Sequence, residues 1–186
     1  MSLRGAFGHF KTITKHRHAV IRHCKKAGIL WQGLRHDLSK YAPAEFFAGA
    51  RYYVGTRSPN ELERKEHGYS LAWMHHKGRN KHHFEYWTDI SAETRQYAPL
   101  PMPRKYLVEM VMDRRAACMT YEGEAYTDGS ALAYLRKSQE RFRMNPQTLR
   151  ELDYLLEMLQ EQGEKKTFAY LKSHILKGKP FPWEQT

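Results

Sequence analysis

The side chains best suited to chemistry in this 186-residue chain are histidines and aspartates. His36 and Asp37 are adjacent, five more histidines fall between His67 and His83, and Asp113 lies inside a helical pattern. Imidazole and carboxylate donors with no nearby thiolate suit a divalent transition ion such as Mn, Fe, Co, Ni or Zn. With 11 His and 5 Asp, chance alone gives roughly 0.3 His-Asp pairs, so the placement of the doublet says more than its occurrence. In Gly33-Leu34-Arg35-His36-Asp37-Leu38-Ser39-Lys40, Leu34 and Leu38 are four apart, one face of a helical turn, and Pro43 suits the first turn of a following helix. The spacing predicts a helix over 30–40 that is held by the core. The doublet would sit near its end, a rigid mount for metal ligands.

Three other places supply candidate ligands. His16 lies in Thr14-Lys15-His16-Arg17-His18-Ala19-Val20, with His18 and His23 as rivals. His75-His76 and His82-His83 form two pairs seven residues apart. On a continuous helix that interval would put them on one face, but Gly78 and Asn80 favour a helix end and a turn. In either case one histidine of each pair can point inward while its neighbour points to substrate or solvent. Asp113 follows Glu109-Met110-Val111-Met112. No cysteine joins this set, which argues against a structural zinc finger.

The elements that must hold these groups read as helices. Residues 8–27 form one, closed by Gly28 as a C-cap. A short helix runs from Pro43 to about Tyr53. Ser58-Pro59-Asn60-Glu61 reads as a capping box for a helix reaching His76 or Lys77. Residues 91–102 read as loop. Pro103 starts a long helix to about Tyr121, followed by helices over Ala131–Phe142, from Asn145-Pro146 onward, and from Gly163 to about Leu176. No strand alternation is evident. The expected fold is all-α, one domain of 1–186, with a metal-binding core at 10–121 and C-terminal helices at 129–177 packing on it.

Composition narrows the setting. The net charge of +11 favours anionic partners: a phosphorylated small molecule, nucleic acid or acidic lipid. The cations are scattered in short clusters, so a solvated basic surface explains them equally well. Two cysteines and no disulfide framework fit a reducing compartment. No apolar run is long enough to span a membrane, and the N-terminus lacks an apolar signal region. These features predict a cytoplasmic protein.

The order His16, His36-Asp37, the histidine pairs and Asp113 on a helical chain resembles the HD-domain superfamily of metal-dependent phosphohydrolases. His36-Asp37-Leu38-Ser39-Lys40 resembles its HD-x-x-K form, and His16 with Val20 resembles its first-helix histidine. Met110-Val111-Met112-Asp113-Arg114-Arg115-Ala116 resembles its distal helix. More narrowly, the combination is similar to a set of small uncharacterised bacterial proteins. The resemblance covers about residues 10–121, and implies a single HD-like helical domain with a C-terminal helical extension. Carried over, it makes His16, His36, Asp37 and Asp113 ligands of one ion. Histidines from the two pairs, placed at His76 and His82, resemble the two-metal branch. The 20-residue step from His16 to His36 is shorter than in many members, which keeps His18 and His23 open as rivals.

The implied reaction is hydrolysis of a phosphorylated small molecule, such as a nucleotide, by a metal-activated water. Lys40, Arg79 and Lys81 would meet the phosphoryl charge, and His75 or His83 would protonate the leaving oxygen. Lys40 serves equally as a cation favourable to a helix C-terminus. Glu85 is a candidate to orient an imidazole, Tyr86 and Trp87 read as core aromatics, Tyr52, Tyr53 and Asn60 as pocket-mouth residues, and Glu45 as either a surface residue or a further pocket carboxylate. Two other functions stay open: a histidine-rich di-iron oxygenase of the same fold, and a basic nucleic-acid-binding module with structural histidines.

Overall fold

A computed structural model describes residues 2–141 and 143–185. Eight α-helices are described: α1 Leu3–Ala27, α2 Leu30–Arg35, α3 Pro43–Arg51, α4 Pro59–His67, α5 Leu71–Lys77, α6 Arg104–Glu122, α7 Ser130–Ser138 and α8 Pro146–Ser173. The fold is all-α apart from a small antiparallel hairpin, β1 Thr88–Ile90 with β2 Tyr97–Pro99, in which Asp89 faces Ala98. Three-residue strands are too short to show alternation, so the hairpin is invisible in the sequence pattern. None of the described helices is long and apolar enough to cross a membrane.

Helix α1 starts five residues earlier than the sequence pattern suggests, because the Ser2 hydroxyl accepts the Gly5 N–H at 3.0 Å. It ends where Gly28 turns left-handed at φ 89° and its N–H returns to the Cys24 and Lys25 carbonyls. Helix α6 packs against α1, and α7 and α8 close over α6. Their shared core includes Val20, Cys24, Leu107, Val111, Leu135, Leu155, Leu159 and Leu171, all fully buried. Each such leucine contributes on the order of 2 kcal/mol of transfer free energy. Asn145 caps α8 by accepting from the Gln147 and Thr148 N–H groups, and Gly163 breaks its helical path at φ 72°. The Phe142 end of the segment expected at 131–142 lies outside the described residues.

Two expected helices differ. The span 59–77 is broken at Gly68, left-handed at φ 81°. Ser58 makes no side-chain cap. The cap that matters is Ser70, whose hydroxyl accepts from Trp73 N–H at 2.9 Å while buried Glu63 takes the Leu71 N–H at 3.2 Å. This restart aims α5, with His75 and His76, back toward α3. The span 30–40 is not one helix either. α2 stops at Arg35, and a 3-10 turn covers Leu38–Tyr41. Leu34 and Leu38 are exposed, so the core does not hold this segment through them. It is held by Gly33, whose missing side chain lets α2 lie on Cys24, and by Arg17, whose guanidinium donates to the Leu34 and His36 carbonyls freed at the helix end.

Candidate metal centre

The His36-Asp37 doublet sits in the break between α2 and the 3-10 turn. His36 is extended (ψ 128°) and Asp37 is left-handed at φ 53°. Two successive helical residues would project 100° apart; this kink turns both side chains inward. Left-handed backbone costs a non-glycine residue about 1–2 kcal/mol, least for Asp and Asn. Such strain persists where surrounding contacts over-determine it.

Asp37 is the hub. One oxygen, Oδ2, lies 3.3 Å from His36 Nε2, 3.8 Å from His16 Nε2 and 2.6 Å from Lys40 Nζ. The other, Oδ1, lies 3.3 Å from His76 Nε2 and 3.4 Å from His82 Nε2. Asp113 Oδ1 adds contacts of 3.0 Å to His16 Nε2 and 3.4 Å to His36 Nε2. Among the described residues two donor groups share Asp37, each with its ligand atoms within 4.8 Å of one another: His16, His36, Asp37 and Asp113, and Asp37, His76, His82 and His83. A third group, His36, His82 and Glu109, overlaps both.

A carboxylate lies behind most of these rings. Glu109 Oε1 faces both His36 Nδ1 at 3.0 Å and His82 Nδ1 at 3.2 Å. Glu45 faces His76 Nδ1 at 2.8 Å and His75 Nδ1 at 2.6 Å. A carboxylate at Nδ1 holds the proton there and leaves Nε2 as a lone-pair donor, the usual arrangement of metal-bound imidazole. The inward atoms His16 Nε2, His36 Nε2, His82 Nε2 and both Asp37 oxygens are buried and make no hydrogen bond. Lys40 pairs with one of them, Asp37 Oδ2; the other four, converging on one point, are costly to bury unless a cation satisfies them. The donors therefore fit one or two divalent ions.

The same contacts set the electrostatics of the cluster. Burial alone would raise the Asp37 carboxyl, but His36, Lys40 and His76 hold it well below the usual range. Burial likewise opposes ionisation of Asp113, yet His16 and His36 depress it. Burial pushes His16 and His83 down, which favours neutral, ligating rings. His36 goes the other way: burial is outweighed by Asp37, Asp113 and Glu109, and its pKa is raised. Glu109, despite burial, is held at about 2 by His36 and His82.

The structure brings together His16, His36, Asp37, His76, His82 and Asp113, the six expected ligands, and adds His83. His83, expected as a proton donor beside the ions, has Nε2 only 2.9 Å from His76 Nε2. His75 turns away to Glu45. His18 is exposed, and His23 is buried elsewhere, against Arg115 at 2.7 Å. Lys40 lies on Asp37 rather than at an outward helix end. Arg79 and Lys81 are exposed and do not line the cavity; the turn after α5 carries them outward. Glu45, open to a surface or a pocket reading and weighted toward the surface, is buried, because Pro43 starts α3 so that its third residue meets α5. Glu85 lines the cavity, and its buried Oε2 makes no hydrogen bond. Trp87 packs on Tyr106, and Tyr52 turns to His67. Glu109 is the residue of the cluster that the motif reading did not name, although its place four residues before Asp113 puts both on one helical face.

A cavity of about 950 Å³ opens on the centre. His16, Lys40, His76, His82, His83 and Asp113 line its inner end, and Tyr53, Asn60, Trp73, Arg57, Arg64 and Arg114 line other walls. Residues 5–158 match the family model described as a family of unknown function, DUF5662. The chain belongs to DUF5662. No curated protein and no solved structure matches it. The matched span of this DUF5662 chain contains every residue of both donor groups and both carboxylates behind them.

Proposed function

We propose that the centre would hold two divalent transition ions, with Asp37 common to both sets of ligands, and that the protein hydrolyses a phosphoester of a small molecule, as an HD-type phosphohydrolase. The observation that carries this reading is the convergence of five buried donor atoms that make no hydrogen bond, only one of them paired with Lys40, between two carboxylate-backed histidine groups. Bound divalent ions would supply Lewis acidity and lower the pKa of a water toward ~7. Asp37, Asp113, Glu109 and Glu45 with Lys40 give the centre a formal charge of −3. Two divalent ions would make it +1, which favours an anionic substrate. Lys40, partly buried and lining the cavity, would meet a phosphoryl oxygen, and Arg57, Arg64 and Arg114 add cationic side chains to the walls. Glu109 and Glu45 keep the Nδ1 protons in place and the rings oriented.

The test is metal stoichiometry and phosphatase activity of the untagged full-length protein and three variants. Wild type is expected to take up two equivalents of Mn or Zn, His16→Gln and His83→Gln one each, and Asp37→Asn neither with high affinity. Asn keeps the left-handed backbone while removing the charge. Hydrolysis of a panel of phosphomonoesters should fall at least 100-fold in Asp37→Asn. Equal stoichiometry in all four proteins would refute the bridged centre. The donor set of five imidazoles and two carboxylates also suits iron. Two irons with substrate-dependent oxygen uptake and no phosphate release would replace hydrolysis by dioxygen chemistry.

A further inference from the structure

The first 36 residues contain no Asp or Glu, and eight Lys or Arg. In α1 these charges are sorted by face. Arg4, Lys11, Lys15, Arg22 and Lys25 are exposed along one side, a stripe of about 30 Å at 1.5 Å per residue. None of the five has an ion-pair partner among the described residues. Arg17 and Lys26 are spent within the fold, on α2 carbonyls and on Glu164.

Beside the stripe lies exposed apolar surface. Leu3 (90% exposed), Phe7 (72%) and Phe10 follow at helical spacing on the flank of α1. Phe10 touches Tyr41 edge-on at 6.0 Å, in the same 3-10 turn as exposed Leu38, and α2 continues the band with Leu34 and Trp31 (75%). The opposite side of α1, with His9, Thr12, Ile13 and His16, lines the cavity.

We propose that this face, α1 with α2 and the 38–41 turn, docks the protein on an anionic lipid bilayer. Phe, Trp and Leu side chains enter the headgroup–acyl boundary while the lysines and arginines meet the lipid phosphates. A second copy of the chain would bring like charge to the contact and is disfavoured. Nucleic acid would use the cations and the aromatic rings but gives exposed leucines no apolar environment. Because the cavity lies across α1 from the docking face, its mouth stays accessible from solution. The proposal is independent of what the metal centre does.

The test is co-sedimentation of the full-length protein with phosphatidylcholine vesicles, with or without phosphatidylglycerol. The protein is expected to bind only the anionic vesicles, with a blue shift of tryptophan emission that Trp31→Phe abolishes. Each neutralised cation near such a surface weakens binding about fivefold, so Lys11→Gln/Lys15→Gln/Arg22→Gln should lower partitioning on the order of 100-fold. Phe7→Ser/Trp31→Ser should also release the protein, at unchanged vesicle charge. All these positions are exposed, so unchanged thermal unfolding midpoints verify the fold. Binding that is absent, equal on neutral and anionic vesicles, or untouched by both sets of substitutions overturns the proposal. So does a DNA or RNA complex abolished by the triple variant without any vesicle binding.

Discussion

Glu109→Gln is the most discriminating single change. Glu109 uses one oxygen, Oε1, for His36 Nδ1 at 3.0 Å and His82 Nδ1 at 3.2 Å, and the other for Gln32 Nε2 at 2.8 Å. It therefore stands behind one imidazole of each donor group. An acceptor behind a ligating histidine tunes metal affinity about 10–100-fold. In Glu109→Gln the amide oxygen can still accept from one ring, but the charge is gone and the amide NH2 meets the Gln32 donor. Both ion affinities should fall about 10–100-fold. Glu45→Gln is the control: its carboxylate stands behind His75 and His76 only, so it should weaken the group containing His76 and spare the one containing His16. Competition with a chromophoric chelator, using Mn(II) or Zn(II), measures both affinities. If Glu109→Gln leaves them unchanged, or weakens only one, the shared support is refuted.

Two further perturbations test the scaffold. His23 is buried, and desolvation together with the Arg115 charge lowers its pKa from 6.5 to about 4. The unfolded chain therefore binds a proton first as pH falls, and stability present above pH 6.5 is lost toward pH 4. This histidine alone should cost about 2 kcal/mol between pH 7 and pH 5. Denaturant unfolding of wild type and His23→Gln at both pH values checks it, and equal pH dependence in the two proteins refutes it. In Gly33→Ala the new Cβ would lie 2.6 Å from Cys24 Cβ. Overpacking of about 1–3 kcal/mol exceeds a helix-propensity gain of about 1 kcal/mol. A lower unfolding midpoint and weaker metal uptake should follow, since α2 carries the doublet; a midpoint at or above wild type counts against this packing.

The helices were legible wherever a local signal fixes them. Gly28, Asn145-Pro146 and Gly163 mark boundaries that the backbone obeys, because left-handed glycine and an Asx cap act within one turn. The boundaries that failed were decided by distant contacts. Ser58-Pro59-Asn60-Glu61 has the letters of a capping box, but Gly68 and the Glu63–Ser70 pair at 2.5 Å end one helix and start another. Leu34 and Leu38 have helical spacing, yet both face outward, and the chain leaves the helix at His36 because Arg17 takes its carbonyls.

What the sequence by itself determined is the inventory: an all-α chain, a cation-rich acid-free first helix, and six ligand candidates of the right donor types. Residue chemistry and helical period are local properties, so they survive without coordinates. What only the tertiary structure decided is the sharing. Asp37 faces two histidine groups because its left-handed backbone aims one oxygen at His36 and at His16 of α1 and the other at His76 and His82. Glu109 and Glu45 became supports because α6 and α3 bring buried carboxylates behind the imidazoles. A carboxylate reads as surface in a sequence, since burying a charge is costly. Only a fold that surrounds it with imidazole protons makes burial affordable.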